Sequence, residues 1–243
     1  MPAHTAGRTR LYKIDRMRPL SSEQREPELP LHTPSVSSLT LAAIIAVIAW
    51  LSIVAQADIT IDRTLARGLT VLDGIARMSS YLTNLTALAC ALCFTCVALR
   101  GTRSPLARFF RQPTVVTAVA GYMVFVGIAY NLLLRGWWPP TAWRFLLNES
   151  LHSILPTLAA LYWVLCVPRF HLRLRHWLCW LLYPLAYLVV TFWRGSLSAF
   201  YPYPFINVET LGIWHAAVNS ALLFGGFLML MAIFVGINSR RRH

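Results

Sequence analysis

The stretch from Leu39 to Ala57, LTLAAIIAVIAWLSIVAQA, runs without a charged side chain. Wound as a helix at about 1.5 Å per residue, such a run crosses the hydrocarbon core of a bilayer, which takes roughly 20 apolar residues. Five more runs of this kind follow: Met78 to Leu99, Thr114 to Leu134, Ser150 to Val167, Trp177 to Trp193 and Trp214 to Ile237. None contains Asp, Glu, Lys or Arg, and each is flanked by charge, Pro or Trp. The fifth is short and relies on Trp and Arg anchors to reach the surface. The expected fold is an all-α membrane protein, a bundle of six transmembrane helices over residues 38–243. Composition fits this: 57% of residues are hydrophobic and 13% charged, where a soluble domain carries roughly 25% charge.

The net charge of +13 would suit a nucleic-acid partner, but its distribution does not. Of the 22 Lys and Arg, sixteen fall in the N-terminal segment, the second and fourth connections and the C-terminus. The other six, Arg63, Arg67, Arg77, Arg135, Arg144 and Arg194, lie in the alternate connections. This is the asymmetry of the positive-inside rule, and it predicts both termini in the cytoplasm. No aromatic or Gly-rich pattern accompanies the arginines, so no nucleic-acid partner is expected. The first run starts near residue 39 and has no clear small-residue cleavage site, so it reads as a retained span. Residues 1–37 are basic, rich in Pro and Ser and without an apolar period, the pattern of a disordered tail.

Cys90, Cys93 and Cys96 recur at helical spacing in the second span, while Cys166 and Cys179 stand alone. They read as small packing residues, since the His or second Cys pair of a zinc site is missing. The first outside connection, Asp58 to Arg77, places Leu65, Leu69, Leu72 and Ile75 near helical spacing, as in an amphipathic interfacial helix. The third, with Trp137, Trp138, Pro139, Pro140 and Trp143, suits the headgroup level. Tyr201-Pro202-Tyr203-Pro204-Phe205 in the fifth excludes a regular helix and suits a rigid interfacial lid.

Polar side chains inside a bilayer are costly unless paired, so they carry the functional information. Thr83, Asn84, Thr86, Asn131, His152, Thr191, Arg194, His215 and Asn219 all fall in the outer halves of their spans, with Glu149 just before the fourth. This pattern predicts a polar cavity open to the outer side. Taken singly, Thr86, Asn131 and Asn219 also fit plain helix–helix hydrogen bonding, and Arg194 fits an interfacial anchor. Pro156 lacks an N–H, so it leaves the carbonyl of His152 without a helical partner and predicts a kink in the fourth helix. Pro184 does the same to Trp180 in the fifth. A bis-histidine haem between His152 and His215 is the weaker alternative, and no metal or cofactor is expected.

Four motifs then resemble a known family: Tyr81-Leu82-Thr83-Asn84-Leu85-Thr86, Leu151-His152-Ser153-Ile154-Leu155-Pro156, Trp180 to Tyr187 (WLLYPLAY), and Arg194-Gly195 followed by Tyr201 to Val208 (YPYPFINV). They are similar to a bacterial six-span family, itself similar to the androgen-induced and androgen-dependent membrane threonine hydrolases of animals. Leu82 and Thr86-Ala87 depart from the bacterial pattern, which has Phe and Ser-Asn there. The resemblance implies a bacterial inner-membrane location, Thr83 as nucleophile and His152 as the other essential residue, acting on fatty-acid esters. A Thr hydroxyl needs a base to attack a carbonyl, and His has a suitable pKa. Asn84, Asn131 or Asn219 would donate to the oxyanion, and Glu149 would orient the imidazole. Arg194, Tyr201 and Tyr203 would hold a lipid-like substrate drawn from the surrounding membrane lipids. The alternative is a non-enzymatic lipid-binding or transport protein using the same cavity.

Overall fold

The computed structural model describes residues 35–101, 104–137, 142–170 and 174–240. Residues 1–34 of the expected tail and Trp138, Pro139 and Pro140 of the expected surface connection lie outside them. The described residues form helices and no strand. These are α1 (Val36–Leu65), α2 (Val71–Met78), α3 (Leu82–Ala98), α4 (Pro105–Phe110), α5 (Pro113–Leu133), α6 (Trp143–Glu149), a π-helical turn (Ser150–Ile154), α7 (Leu155–Cys166), α8 (Leu174–Ser198), a 3-10 turn (Pro204–Ile206) and α9 (Val208–Arg240). α1, α5, α8 and α9 are each long and apolar enough to cross a membrane. α2 and α3, bent by 86° across a short break, count as a fifth such unit if taken together. Helices of this length and apolarity mark a membrane-embedded chain.

α5 and the fourth run, the π-helical turn with α7, lie antiparallel. Tyr130 of α5 stacks on His152 at one end of the bundle, and Thr117 of α5 accepts a hydrogen bond from Trp163 Nε1 of α7 at the other, at 2.9 Å. The second contact is a polar pair at the end opposite the polar residues singled out from the sequence, so helix–helix hydrogen bonding is not confined to one end.

α1 packs along α3 through small side chains. Ala42, Ala49, Ala87, Cys90, Ala91 and Cys93 are all fully buried. Small residues let two backbones approach closely in a membrane, where dispersion between atoms replaces the hydrophobic drive. Cys90 and Cys93 therefore serve as packing groups; no disulfide forms among the described cysteines.

α1 extends to Leu65, so the expected loop at Asp58 is helix for its first eight residues. Charge ends the apolar run but not the helix; the chain turns only at Gly68, whose φ of 76° is open to glycine at little cost. α2 then starts from a capping box in which Thr70 and Asp73 satisfy each other's backbone N–H groups. Leu65, Leu69, Leu72 and Ile75 are exposed along this segment, as an interfacial helix requires.

α8 is longer than the expected fifth span and continues through Arg194 to Ser198. It reaches its neighbours by long side chains: Tyr183 Oη lies 2.8 Å from Thr86 Oγ1, and Tyr187 donates to the Ser80 carbonyl at 2.9 Å. α9 is interrupted at Gly212, where φ is 75°.

Candidate functional site

α3 begins abruptly. Tyr81 stands at its N-cap, so Thr83 is the second helical residue and has no helical carbonyl four residues back. Thr60, Thr64 and Thr117 each return their hydroxyl to the carbonyl of residue i−4. Thr83 lacks that outlet. Its Oγ1 lies 3.3 Å from His152 Nε2, bridging α3 and the π-turn. Thr83 is buried at 9% exposure.

His152 is fixed on three sides. Its Nδ1 lies 3.0 Å from the Asn148 carbonyl. A carbonyl only accepts, so Nδ1 carries the proton, and in the neutral ring the Nε2 lone pair faces Thr83. The Tyr130 ring stacks on the imidazole at 3.7 Å between centroids, with planes 18° apart. The His152 carbonyl, which Pro156 leaves without a helical donor, accepts from Asn131 Nδ2 at 3.0 Å. α5 comes this close because Gly127 has no side chain: a Cβ there would lie 2.8 Å from Pro156 Cγ and 3.1 Å from the His152 carbonyl oxygen.

Tyr203 completes the cluster, lining the same cavities as Thr83, with its phenol beside the Thr83 hydroxyl and the backbone N–H groups of Leu82 and Thr83. Those N–H groups belong to the first turn of α3, which has no internal acceptors for them. Tyr81 and Tyr203 pack edge to face, and Tyr203 stacks on Phe205, so the aromatic-proline loop lies over the start of α3.

Two cavities meet here. One, of about 370 Å³, is lined by Thr83, Asn84, His152, Pro202 and Tyr203, with Arg63, Arg67 and Arg77 around them. The other, of about 70 Å³, is almost wholly apolar and is lined by Phe125, Leu223, Phe224 and Phe227. Thr83, Tyr130, Leu134 and Tyr203 line both.

The remaining residues singled out from sequence take other positions. Asn84 lines the larger cavity, but its amide donates to the Met78 carbonyl at 2.9 Å and ties the bend between α2 and α3. Asn131 donates to the carbonyls of His152 and Gly127. Asn219 donates to the Phe205 carbonyl at 2.9 Å and steadies the loop from α9. All three amides donate to backbone carbonyls, and the polar groups beside Thr83 are instead the Tyr203 phenol and the first N–H groups of its own helix.

Glu149 does not orient the imidazole; the Asn148 carbonyl does. Glu149 pairs with Arg135 at 2.8 Å and accepts from Ser153 Oγ at 2.6 Å. These contacts hold its carboxyl below the usual carboxylate range, the Arg135 hydrogen bond most strongly. Arg194 donates to the Ala76 carbonyl at 3.0 Å and lines a separate cavity with Phe200 and Pro202. Tyr201 packs its ring where a Gly195 side chain would be and against Phe192. His215 is exposed and bonds its own Leu211 carbonyl.

Sequence reasoning missed Tyr130, Asn148 and the three arginines. Asn148 could have been found, since i−4 is where a helical imidazole meets backbone. Comparison with protein-family models, curated proteins and solved structures gives no match to this chain.

Proposed function

We propose that the protein is an intramembrane hydrolase of lipid esters, with Thr83 as nucleophile and His152 as general base. The observation that carries this reading is the commitment of His152 Nδ1 to the Asn148 carbonyl, which leaves a basic Nε2 lone pair facing the Thr83 hydroxyl at 3.3 Å. That distance suits an unliganded site, where catalytic hydrogen bonds are often loose. A threonine serving only to hold helices together has no need of an oriented imidazole.

In the proposed reaction the Thr83 Oγ–H proton passes to His152 Nε2 as Oγ1 attacks the ester carbonyl carbon. The carbonyl oxygen becomes an oxyanion, and the N–H groups of Leu82 and Thr83 are the donors nearest to receive it. They sit at the positive end of the α3 dipole, and Tyr203 adds a phenol O–H. The tetrahedral intermediate collapses, and the alcohol leaves with the proton from His152. Water then gives a proton to Nε2 and attacks the Thr83 ester, releasing the fatty acid and restoring the hydroxyl. No carboxylate backs the imidazole, so the unit is a dyad.

The finer architecture is part of this proposal. Six spans enclose the site, the fourth formed by the π-turn and α7 and deflected before Pro156. Both ends lie in the cytoplasm of a bacterial cell, and the polar cavity opens on the opposite face. Tyr201 to Phe205 forms its cover.

The test is covalent labelling by a fluorophosphonate probe, together with ester hydrolysis by the purified protein. Wild type labels and turns over. Thr83→Ala and His152→Ala each lose activity by about 10³-fold or more, and the double variant loses little further, because nucleophile and base act as one unit. Full hydrolysis by a folded Thr83→Ala variant eliminates the mechanism. Absence of labelling and turnover in wild type favours a lipid-binding protein.

A further inference from the structure

We propose that the groove between α5 and α9 is a lateral entrance through which an acyl chain passes from the bilayer to Thr83, with Phe125, Ala129, Phe205 and Leu223 as its neck. The inference rests on the hydrolase reading for its kinetic arm only.

α5 and α9 meet closely at Gly121, where a Cβ would lie 2.6 Å from Met231 Sδ. One turn further along, Phe227 of α9 stacks on Tyr122 and packs edge to face on Phe125. Beside these rings both helices line a groove of about 470 Å³. Ile128 and Leu132 of α5 and Leu222 and Met229 of α9 are exposed along it, so the groove opens sideways. For helices embedded in a bilayer, that side is lipid hydrocarbon. Among the described residues no charged side chain lines the groove, and its one polar side chain, Asn219, donates its amide to the Phe205 carbonyl. A polar ligand would shed its water there without finding a partner, whereas a hydrocarbon chain has no such loss.

Continuity with the site separates this groove from an ordinary lipid-facing dent. Phe125, Ala129, Phe205 and Leu223 line both the groove and the apolar cavity at Thr83, and all four are half-buried. The inner cavity measures about 70 Å³ and the groove about 470 Å³, so most of a long chain lies in the groove when its ester end is at Thr83. Phe205 joins the neck to the loop over the start of α3: its ring stacks on Tyr203 at 5.3 Å, and Asn219 holds its carbonyl to α9. Ala129 is the smallest of the four and sets the width of the passage on the α5 side. Gly226 keeps the groove open on the α9 side, since a Cβ there meets nothing within 4 Å. Its neighbour Gly225 is equally unobstructed but is not among the groove's lining residues.

The experiment uses the full chain in nanodiscs of phosphatidylcholine, with two readouts. In the first, palmitic acid carrying a mid-chain diazirine is photolysed with the protein and the labelled peptides are mapped. Label should fall on the groove segments 125–133 and 219–233, saturate with dose and be displaced by unlabelled palmitic acid. Gly226→Phe and Ala129→Leu should each lose this saturable label, and Gly225→Phe should keep it. In the second, kcat/KM is compared for the palmitoyl and acetyl esters of umbelliferone. The palmitoyl-to-acetyl ratio should fall by about tenfold or more in Gly226→Phe and in Ala129→Leu, the loss expected when roughly two methylene groups are denied burial. In Gly225→Phe it should stay at the wild-type value. Ala129→Leu decides where Gly226→Phe does not fold, since it narrows the same passage from the other helix. Label spread evenly over the exposed apolar helices, label in the groove that does not saturate, or an unchanged ratio in a folded Gly226→Phe or Ala129→Leu variant overturns the entrance. A wild type that cleaves the acetyl ester alone also overturns it. If wild type cleaves neither ester, the hydrolase reading fails by itself, and the labelling readout decides the groove.

Discussion

An imidazole with one nitrogen tied to a backbone carbonyl can present only the other to a substrate or a nucleophile. For His152 that tie is the Asn148 carbonyl, and the carbonyl of His152 itself is tied by Asn131. Asn131 thus positions the base without lining the cavity. Asn131→Ala leaves the proline-freed carbonyl without its side-chain donor, at a cost of about 1 kcal/mol. The expected outcome is a lower unfolding temperature together with a fall in kcat, with KM little changed. A variant that loses stability but keeps wild-type kcat would reduce Asn131 to helix packing alone. The pairing of Thr83 with His152 was legible in the sequence, from equal depth on two spans and from the motifs around them. The work of Asn131 was not. Whether a helix-end amide faces a cavity or a neighbour's carbonyl depends on the rotation of α5, which only packing fixes. Gly127 fixes it here, by admitting Pro156 against the α5 backbone.

At the scale of elements, the two prolines inside apolar runs have one solution in common. Pro156 frees the carbonyl of His152, and Asn131 of α5 donates to it. Pro184 frees the carbonyl of Trp180, and Tyr122 of α5 donates to it at 2.8 Å. Broken backbone in a membrane survives only where a neighbouring side chain satisfies it, and α5 supplies both donors. The π-turn preceding Pro156 follows from the same missing N–H, since the wider turn lets Leu155 bond the Ser150 carbonyl. The sequence revealed the freed carbonyls but not the wider turn, which depends on how neighbouring helices crowd the break. α6 enters that turn through Glu149, whose pairing with Arg135 ties the end of α5 to the start of the fourth run. The Glu149 carboxyl is held below its ordinary value of 4.5, chiefly by Arg135 and then by Ser153. A depressed folded value means the tie contributes fully above pH 4.5 and is lost as pH falls through the lowered value. Acid unfolding should therefore begin below pH 4.5, and Glu149→Gln should remove this part of the acid limb while lowering stability at neutral pH. Superimposable pH profiles of unfolding temperature for wild type and Glu149→Gln would show that the pair contributes nothing.

Across the whole molecule, the orientation reduces to a question of parity. α1, α5, α8 and α9 cross on length and apolarity, and the bent pair α2 and α3 makes a fifth unit. Five crossings would leave the two ends of the chain on opposite sides. α7 alone has 12 residues and is too short to be counted. Joined to the π-turn it covers Ser150 to Cys166, about 25 Å of helix, within reach of a thinned or snorkelling bilayer boundary. With it the number is six and both ends share a side. The even number of the proposed topology rests on the arginines: sixteen of the 22 basic residues fall at the two ends and in the connections that six crossings would place with them. Those five crossings would strand both the Arg169 connection and the C-terminal arginines on the side opposite the N-terminus. Alkaline phosphatase folds to activity only outside the cytoplasm, so a fusion after His243 should be silent, and one inserted at Gly68 should be active. A fluorescent protein that matures only in the cytoplasm should give the reverse at both positions. If the fusion after His243 is active while that at Gly68 is also active, the chain crosses an odd number of times. The segment with His152 would then be re-entrant, and the arginine-lined cavity would still face outward while the C-terminus would not be cytoplasmic. If the Gly68 fusion is silent, the cavity opens to the cytoplasm, and any lipid ester reaching Thr83 must come from the inner leaflet.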